Sequence, residues 1–297
     1  MLRAGLVVGV AHLVFKFAGV LQAMVMTRYV DRGVYDVVYA FAFEGCIFTL
    51  FLLGEEVIGP TFLPVFMRER EKSGEKAAWS FANTMLTVQF VLLLVLVLLL
   101  MSFPAVFVRV ITLGAWTDRL RPEEFAMGQR VLFIMAPALI AFSLGSTTYM
   151  LLNGYKRFFL AAFADASWKF CVLAAVLLGM GLLGVDYRAI VYGILAGSVA
   201  KLGTHLAGLR RELHRFRPSL ALSNPAVRRM ALLMLPLIGG IVFAKVRDVF
   251  NNVSILSRLE TEGLLMANSL GRKLYIALGW MIPYALSIAM FPFFCEM

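Results

Sequence analysis

Histidine and cysteine are scarce in this chain, three of each, and neither kind clusters. Cys46, Cys171 and Cys295 all lie in apolar stretches without CxxC spacing. Neither a disulfide framework nor a zinc site is expected, and the cysteines read as small hydrophobes. There is no Ser/His/Asp arrangement, no glycine-rich phosphate loop and no metal-ligand spacing, so the enzyme classes those motifs mark are excluded. No catalytic residue and no metal is assigned, and the protein is not expected to be an enzyme. Charge is also in short supply: 15% of residues are charged, where a soluble domain carries about 25%.

Apolar residues make up the difference. They account for 61% of the chain, and the mean hydropathy is +0.84. One globule could not hide that much apolar surface, so the chain is expected to be an integral membrane protein. A helix needs about 20 apolar residues to cross the hydrocarbon core. Eight stretches qualify, at 4–26, 34–54, 78–107, 128–152, 158–184, 188–209, 230–256 and 270–294. The expected fold is an all-α, polytopic membrane bundle of about eight helices. The first stretch follows Arg3 and has no small-residue cleavage site, so it reads as a spanning helix rather than a removable signal.

The net charge of +10 does not point to nucleic acid, because no basic run is interleaved with stacking aromatics. It fits loops that hold orientation in a membrane. With the N-terminus inside, one side collects thirteen Lys and Arg residues, chiefly at Arg68–Lys76, Lys156–Arg157 and Arg210–Arg229, against eight on the other. Both termini are therefore expected in the cytoplasm.

Two connectors organise the chain. The stretch 54–83 passes from Glu55-Glu56 through Pro60 and Pro64, which are expected to disfavour helix, into a mixed-charge turn from Arg68 to Lys76. Helix-end solvation would then account for the paired glutamates. The basic connector 210–229 divides a six-helix unit, 1–209, from the first helices of a second unit, 230–297. It reads as a loop lying on anionic lipid, with Ser223 or Asn224 capping the next helix.

Charges inside the apolar stretches are the functional signal. Lys16, Lys169, Lys201, Lys245, Arg247, Arg272 and Lys273 face Glu44, Asp165 and Asp248. Each costs about 2.5–3.5 kcal/mol at the bilayer centre unless it faces a bundle interior or a cavity. The excess of basic residues suits an anionic, phosphate-bearing substrate. For Lys169, Lys201, Arg272 and Lys273 the alternative is snorkelling to the headgroups. Lys245 and Asp248, three apart, are expected to pair, whereas Arg247 and Asp248 point to different faces. Pro236 with Gly239-Gly240 signals either a broken helix at a binding site or close helix packing.

Asp36, Glu55, Phe62-Leu63-Pro64 and Lys72-Ser73-Gly74-Glu75 follow one another as in the second helix and loop of the MurJ/MviN lipid II flippases, members of the MOP exporter superfamily. The stretch PLIGGIVFAKVRDVFNN with Asn251 resembles that family's Pro-x-x-x-Gly helix. GRKLYIALGWMIPYALSIAMFP resembles its Arg-Leu helix, with Lys273 at the arginine and Pro292 at the closing proline. In the first helix Lys16 and Gly19 keep the family's places, while Gln22 and Ala23 replace its second arginine and its aspartate. The helix-two arginine has no counterpart.

The resemblance implies the first lobe and two helices of a fourteen-helix, two-lobed transporter. It implies movement of an undecaprenyl-diphosphate-linked cell-wall precursor across the bacterial inner membrane by alternating access, in peptidoglycan synthesis. Lys16, Lys245, Arg247, Arg272 and Lys273 would line the cationic cavity, Asp36 and Glu55 would act at a gate, and Asp248 would be a cation ligand. No cofactor is implied beyond coupling to Na+ or the membrane potential. The partners implied are the lipid-linked glycan and the membrane, with a second half-transporter chain or cell-wall synthesis enzymes as further ones. An O-antigen or exopolysaccharide lipid flippase, and a non-transporting scaffold for envelope assembly, are the alternative functions.

Overall fold

The computed structural model describes residues 18–259 and 261–275. Every regular element among these residues is helical. Residues 18–29 form α1. Arg32–Val34, Tyr35–Phe48 and Thr49–Ser102 then run on as one helical path, interrupted only at Gly74. Gly74 has φ +81°, a conformation that glycine adopts without steric cost. There the chain folds back, bringing Phe62 and Phe81 to a stacked contact at 5.2 Å. The path is therefore two helices, α2 (residues 32–73) and α3 (residues 75–102).

The helices α4 (Pro104–Ile111), α5 (Pro122–Met135) and α6 (Ala138–Gly154) follow. Next come α7 (Phe158–Ala174, continued by Ala175–Leu182) and α8 (Arg188–Gly208). The last two are α9 (Pro225–Val249, continued to Arg258) and α10 (residues 264–275).

Four helical runs are long and apolar enough to cross a membrane, or five when α5 and α6, bent by 46°, count as one span. The first of the four is the run that Gly74 divides. Expected stretches one and eight lie partly outside the described residues. Leu92, Val95 and Leu98 of α3 and Leu235, Phe243 and Val246 of α9 are all more than half exposed. Apolar patches of that extent on a helix surface belong against lipid.

Two sequence expectations are corrected. Pro60 and Pro64 do not end α2, which continues to residue 73. In a spanning helix, neighbouring hydroxyls and packing re-satisfy the backbone around a proline. Here buried Phe62, Val65 and Phe66 pack the helix on either side of Pro64, and the Thr61 hydroxyl adds bonds to the carbonyls of Val57 (2.7 Å) and Ile58 (3.3 Å) in the same turn. The mixed-charge stretch is accordingly helical as far as Ser73, with the turn confined to Gly74. Likewise α9 runs unbroken through Pro236 and Gly239-Gly240. Among the described residues a β-carbon on either glycine would meet nothing within 4 Å, so neither the break nor a close approach to a described helix is found there.

The charged connectors sort to two ends. At one end Arg215 pairs with Glu75 (2.6 Å), Arg70 with Glu75 (2.8 Å) and Arg157 with Glu212 (2.7 Å). Tyr155 donates to Glu75 and accepts from Trp79 Nε1 (2.8 Å). Burial, reinforced by that bond to Glu75, pushes the Tyr155 phenol up to about 12. At the other end Arg121 donates to the Leu259 carbonyl, Arg258 to that of Leu113, and Gly33 N–H to Glu262. The loops expected to share a side do share one. Asn224 caps α9, its Oδ1 accepting from Ala226 N–H at 2.9 Å.

Candidate functional site

Near the start of α2, residues Tyr35–Phe48 wind in wide turns. Tyr35, Tyr39 and Phe43, spaced four apart, stay in line there, with ring centroids 5.2 Å apart at each step. The adjoining face of α2, with Ala40, Glu44 and Phe48, meets α9 and α10 around a cavity of about 250 Å³. α2 contributes Glu44 and Phe48, α9 contributes Lys245 and Asp248, and α10 contributes Arg272 and Lys273. A second, mostly apolar cavity of about 320 Å³ lies towards α1 and α7, lined by Gln22, Tyr39, Phe43, Trp168 and Lys169. Glu44 and Lys273 line both.

The two residues form an ion pair, Lys273 Nζ to Glu44 Oε1 at 2.9 Å. The other Glu44 oxygen accepts from Ser269 at 2.7 Å. Lys273 donates to the Tyr35 hydroxyl (3.3 Å) and stands 4.3 Å over the Tyr39 ring. Gln22 Nε2 in turn donates to the Tyr39 hydroxyl at 3.1 Å. A lysine placed this way keeps its charge in an apolar setting, because a carboxylate, a hydroxyl and a ring face all solvate it.

Four residues proposed from sequence therefore converge on one cavity: Lys245, Asp248, Arg272 and Lys273. Arg247 does not line it. Its guanidinium turns to its own neighbour, Asp248, at 2.9 Å on an exposed face. This overturns the expected Lys245–Asp248 pair, since Lys245 reaches Glu56 of α2 instead, at 2.5 Å. Three residues of helical spacing bring two side chains to one face, but here the carboxylate of a facing helix is the one within reach of the ammonium. Lys16 lies outside the described residues.

Lys201 was open to snorkelling, and it does not snorkel. It is 3% exposed and pairs with Asp165 at 2.7 Å, its ammonium 4.8 Å from the Phe51 ring. The expected cationic excess shrinks accordingly: Lys201, Lys245, Arg247 and Lys273 each have a carboxylate. Arg272 has none among the described residues. The count from sequence left out Glu55 and Glu56 because it placed them beside a turn, whereas both lie within the continuous α2, Glu55 half-buried and Glu56 exposed.

Asp36 is not a free gate residue in this geometry. Its oxygens accept from the backbone N–H groups of Gly263 (2.8 Å) and Met266 (2.7 Å), which caps α10 from a different helix. Gly263 has φ +85°, which turns its N–H towards Asp36. Residues that sequence reasoning left unassigned include Glu44, Ser269, Tyr35 and Tyr39. A single carboxylate in an apolar run was the available signal for Glu44.

Comparison with known proteins adds the family. The family model described as lipid II flippase MurJ matches residues 26–295. The chain is 25% identical over 263 residues to a lipid II flippase MurJ of Burkholderia cenocepacia, covering 87% of this chain and 50% of the relative. It is 31% identical over 200 residues to a probable lipid II flippase MurJ of Rhizobium meliloti, covering 64% and 36%. A probable lipid II flippase MurJ of Rhizobium tropici is 28% identical over 257 residues, covering 81% and 46%. The chain spans half or less of the length of these relatives.

Proposed function

From the chain's membership of the MurJ lipid II flippase family, we propose that it moves an undecaprenyl-diphosphate-linked cell-wall precursor across the bacterial inner membrane, with its N-terminus in the cytoplasm. The family is one of membrane transporters, so the protein's work is translocation rather than bond chemistry. The observation that carries the reading is the match along residues 26–295. It is supported by the convergence of Lys245, Arg272 and Lys273 on one cavity between α2, α9 and α10.

A diphosphate needs cations that are fixed in place yet not irreversibly committed. Lys273 meets that need by sharing itself between Glu44, Tyr35 and the Tyr39 ring, and Arg272, with no carboxylate among the described residues, supplies a guanidinium suited to bidentate phosphate contact. Binding at Lys273 has to compete with Glu44, which gives the site a release step. The mostly apolar second cavity, joined to the first through Glu44 and Lys273, suits the part of the lipid next to the diphosphate. Alternating access would open and close this junction as α9 and α10 move against α2.

Coupling to Na+ or to the membrane potential belongs to the same proposal. Asp248 is its candidate cation ligand and would have to exchange Arg247 for the ion. Cell-wall synthesis enzymes and a second half-transporter chain are the partners this reading accommodates.

The test is reconstitution of the full chain in vesicles carrying a fluorescent undecaprenyl-diphosphate-linked sugar in one leaflet. Protein-dependent movement to the other leaflet, lost in Lys273→Ala, is the expected result. Movement no faster than in protein-free vesicles, together with failure to sustain growth of a strain depleted of its lipid II flippase, would overturn the reading.

A further inference from the structure

The connector between α8 and α9 takes no part in the proposed transport site, yet the bundle holds it in a defined place. Its polar contacts point inward. Buried Glu212 accepts two bonds from the Arg157 guanidinium, at 2.7 and 2.9 Å. Arg215 pairs with Glu75 at 2.6 Å, and its carbonyl accepts from Asn83 Nδ2 at 3.0 Å. Ser219 N–H donates to the Thr87 hydroxyl at 3.0 Å. Between these pins Arg210, Arg211, Leu213, Phe216 and Arg217 are exposed. Leu220 and Leu222, just beyond them, are each 63% exposed. Four large apolar side chains of one short connector are therefore uncovered among the described residues.

The same inward pairing makes the exposed charge of this end one-sided. Its acids are Glu69, Glu71, Glu75 and Glu212. Glu75 is held by Arg70 and Arg215, Glu212 by Arg157, and Glu69 by Arg229 at 3.3 Å. Glu71 alone among them is exposed. Against it stand Arg210, Arg211 and Arg217 of the connector and Arg228 of α9, all exposed and in no ion pair among the described residues. Arg68, Lys72 and Lys76 of the hairpin and Lys156 of the α6–α7 turn are exposed as well. The opposite end is mixed, with Asp31, Glu123, Asp186 and Glu262 exposed among its arginines.

The pins also set a depth. Arg215 and Ser219 lie at Asn83 and Thr87, so the connector runs along α3 towards its apolar part. The first exposed large apolar side chains of α3 are Phe90, Val91 and Leu92, which begin about one helical turn beyond Thr87. The lipid-facing surface starts there, and Leu220 and Leu222 follow Ser219 directly. We propose that residues 210–222 form an interfacial anchor for anionic lipid. Phe216, Leu220 and Leu222 enter the boundary between headgroups and acyl chains, and Arg210, Arg211 and Arg217 hold the lipid phosphates. Basic and apolar side chains presented together are what such a boundary binds, and each arginine adds attraction to anionic headgroups. The sequence suggests only a positive loop near anionic lipid; the structure adds the uncovered apolar side chains and their depth. Asn224 caps α9 just after Leu222, so lipid that holds the anchor also fixes where α9 enters the membrane.

The anchor does not depend on which lipid is moved. It is tested by hydrogen exchange of the full chain in nanodiscs of phosphatidylcholine with and without phosphatidylglycerol, no lipid-linked sugar being present. The amides of residues 216–222 should exchange about fivefold or more slowly when phosphatidylglycerol is there. Those of residues 72–76, at the hairpin tip of the same end, should slow less, which separates anchoring from the lower pH at an anionic surface. The extra slowing should vanish in Arg210→Gln/Arg211→Gln/Arg217→Gln, which leaves Glu212 and Arg215 to pin the connector. No slowing beyond that of the tip, or the same slowing in the triple variant, would overturn the proposal. So would slow exchange in both lipid mixtures alike, which would assign the cover of Leu220 and Leu222 to protein. The comparison of the two mixtures is made on the unmodified chain, so a variant that fails to fold leaves the proposal open to refutation.

Discussion

The ammonium of Lys273 lies 2.9 Å from the carboxylate of Glu44, and this one pair lines both cavities. The residue best placed to meet a diphosphate is thus also a structural partner, joining α10 to α2. Loss of transport in a Lys273 variant would therefore be ambiguous unless the two roles are separated.

They separate in a double-mutant cycle. Lys273→Met alone leaves Glu44 half-buried and unpaired, and should lower stability by about 2–5 kcal/mol. Adding Glu44→Gln should recover most of that loss, because the stranded charge is gone. Transport should remain absent in the double variant. Thermal unfolding in detergent gives the first quantity and vesicle assays the second. Recovery of transport in the double variant would remove Lys273 from the substrate site.

Asp36 offers a second discrimination, between capping and gating. Asp36→Asn keeps the shape but turns one acceptor into a donor facing a backbone N–H. Hydrogen bonds to a charged group contribute about 1.5–3 kcal/mol, and a loss of that size should appear locally. Hydrogen exchange at Gly263 and Met266 should rise while the amides of α7 and α8 stay protected. Lost transport with unchanged exchange at these amides would instead favour a gating role.

The Glu75 cluster predicts an acid-sensitive end of the bundle. Burial raises the carboxyl, but the Tyr155 hydrogen bond and the cations Arg70 and Arg215 outweigh it and hold it below its ordinary value of 4.5. A lowered carboxylate stabilises the folded state above its unfolded value and loses that contribution as pH falls through the folded one. The connector around Arg215 should therefore loosen as pH drops below about 4.5. Intrinsic-rate-corrected exchange of residues 212–217 reads this, and Glu75→Gln should show the loosened pattern already at neutral pH.

Two glycine substitutions should behave oppositely. Gly74→Ala places a β-carbon at φ +81°, ψ 175°, a region only glycine adopts readily, and should cost about 1–3 kcal/mol. Gly240→Ala meets nothing among the described residues and should be neutral or stabilising by up to about 1 kcal/mol in helix propensity. Chemical unfolding of the two variants side by side decides between them.

Sidedness is checkable by labelling. Cysteines placed at Ser73, Lys156 and Arg211 should react from one face of the membrane, and those at Asp31, Asp118 and Glu262 from the other. With the proposed orientation the first set is cytoplasmic. Mixed labelling within either set would contradict the pairing of Glu75 with Arg215 and of Gly33 with Glu262.

Much of this protein was legible in its residues. Length and hydropathy of the stretches 158–184 and 188–209 located α7 and α8 closely, because a crossing needs a fixed apolar length. The Lys and Arg of the loops sorted the connectors to two ends, and Asn224 before Pro225 marked the start of α9. The order of Asp36, Glu55, Phe62-Leu63-Pro64 and Lys72-Ser73-Gly74-Glu75 already resembled the family to which the chain belongs.

Partner choice was not legible. Local spacing suggested Lys245 with Asp248, and proline suggested an end to α2. Both are properties of a chain segment alone. In the folded bundle the neighbouring helices supply closer carboxylates, so Lys245 finds Glu56, Lys201 finds Asp165 and Lys273 finds Glu44. Composition and period determine which segments enter a membrane. Which charges find a partner there is decided only when the helices pack, because pairing depends on distances across the bundle that no position in the chain encodes.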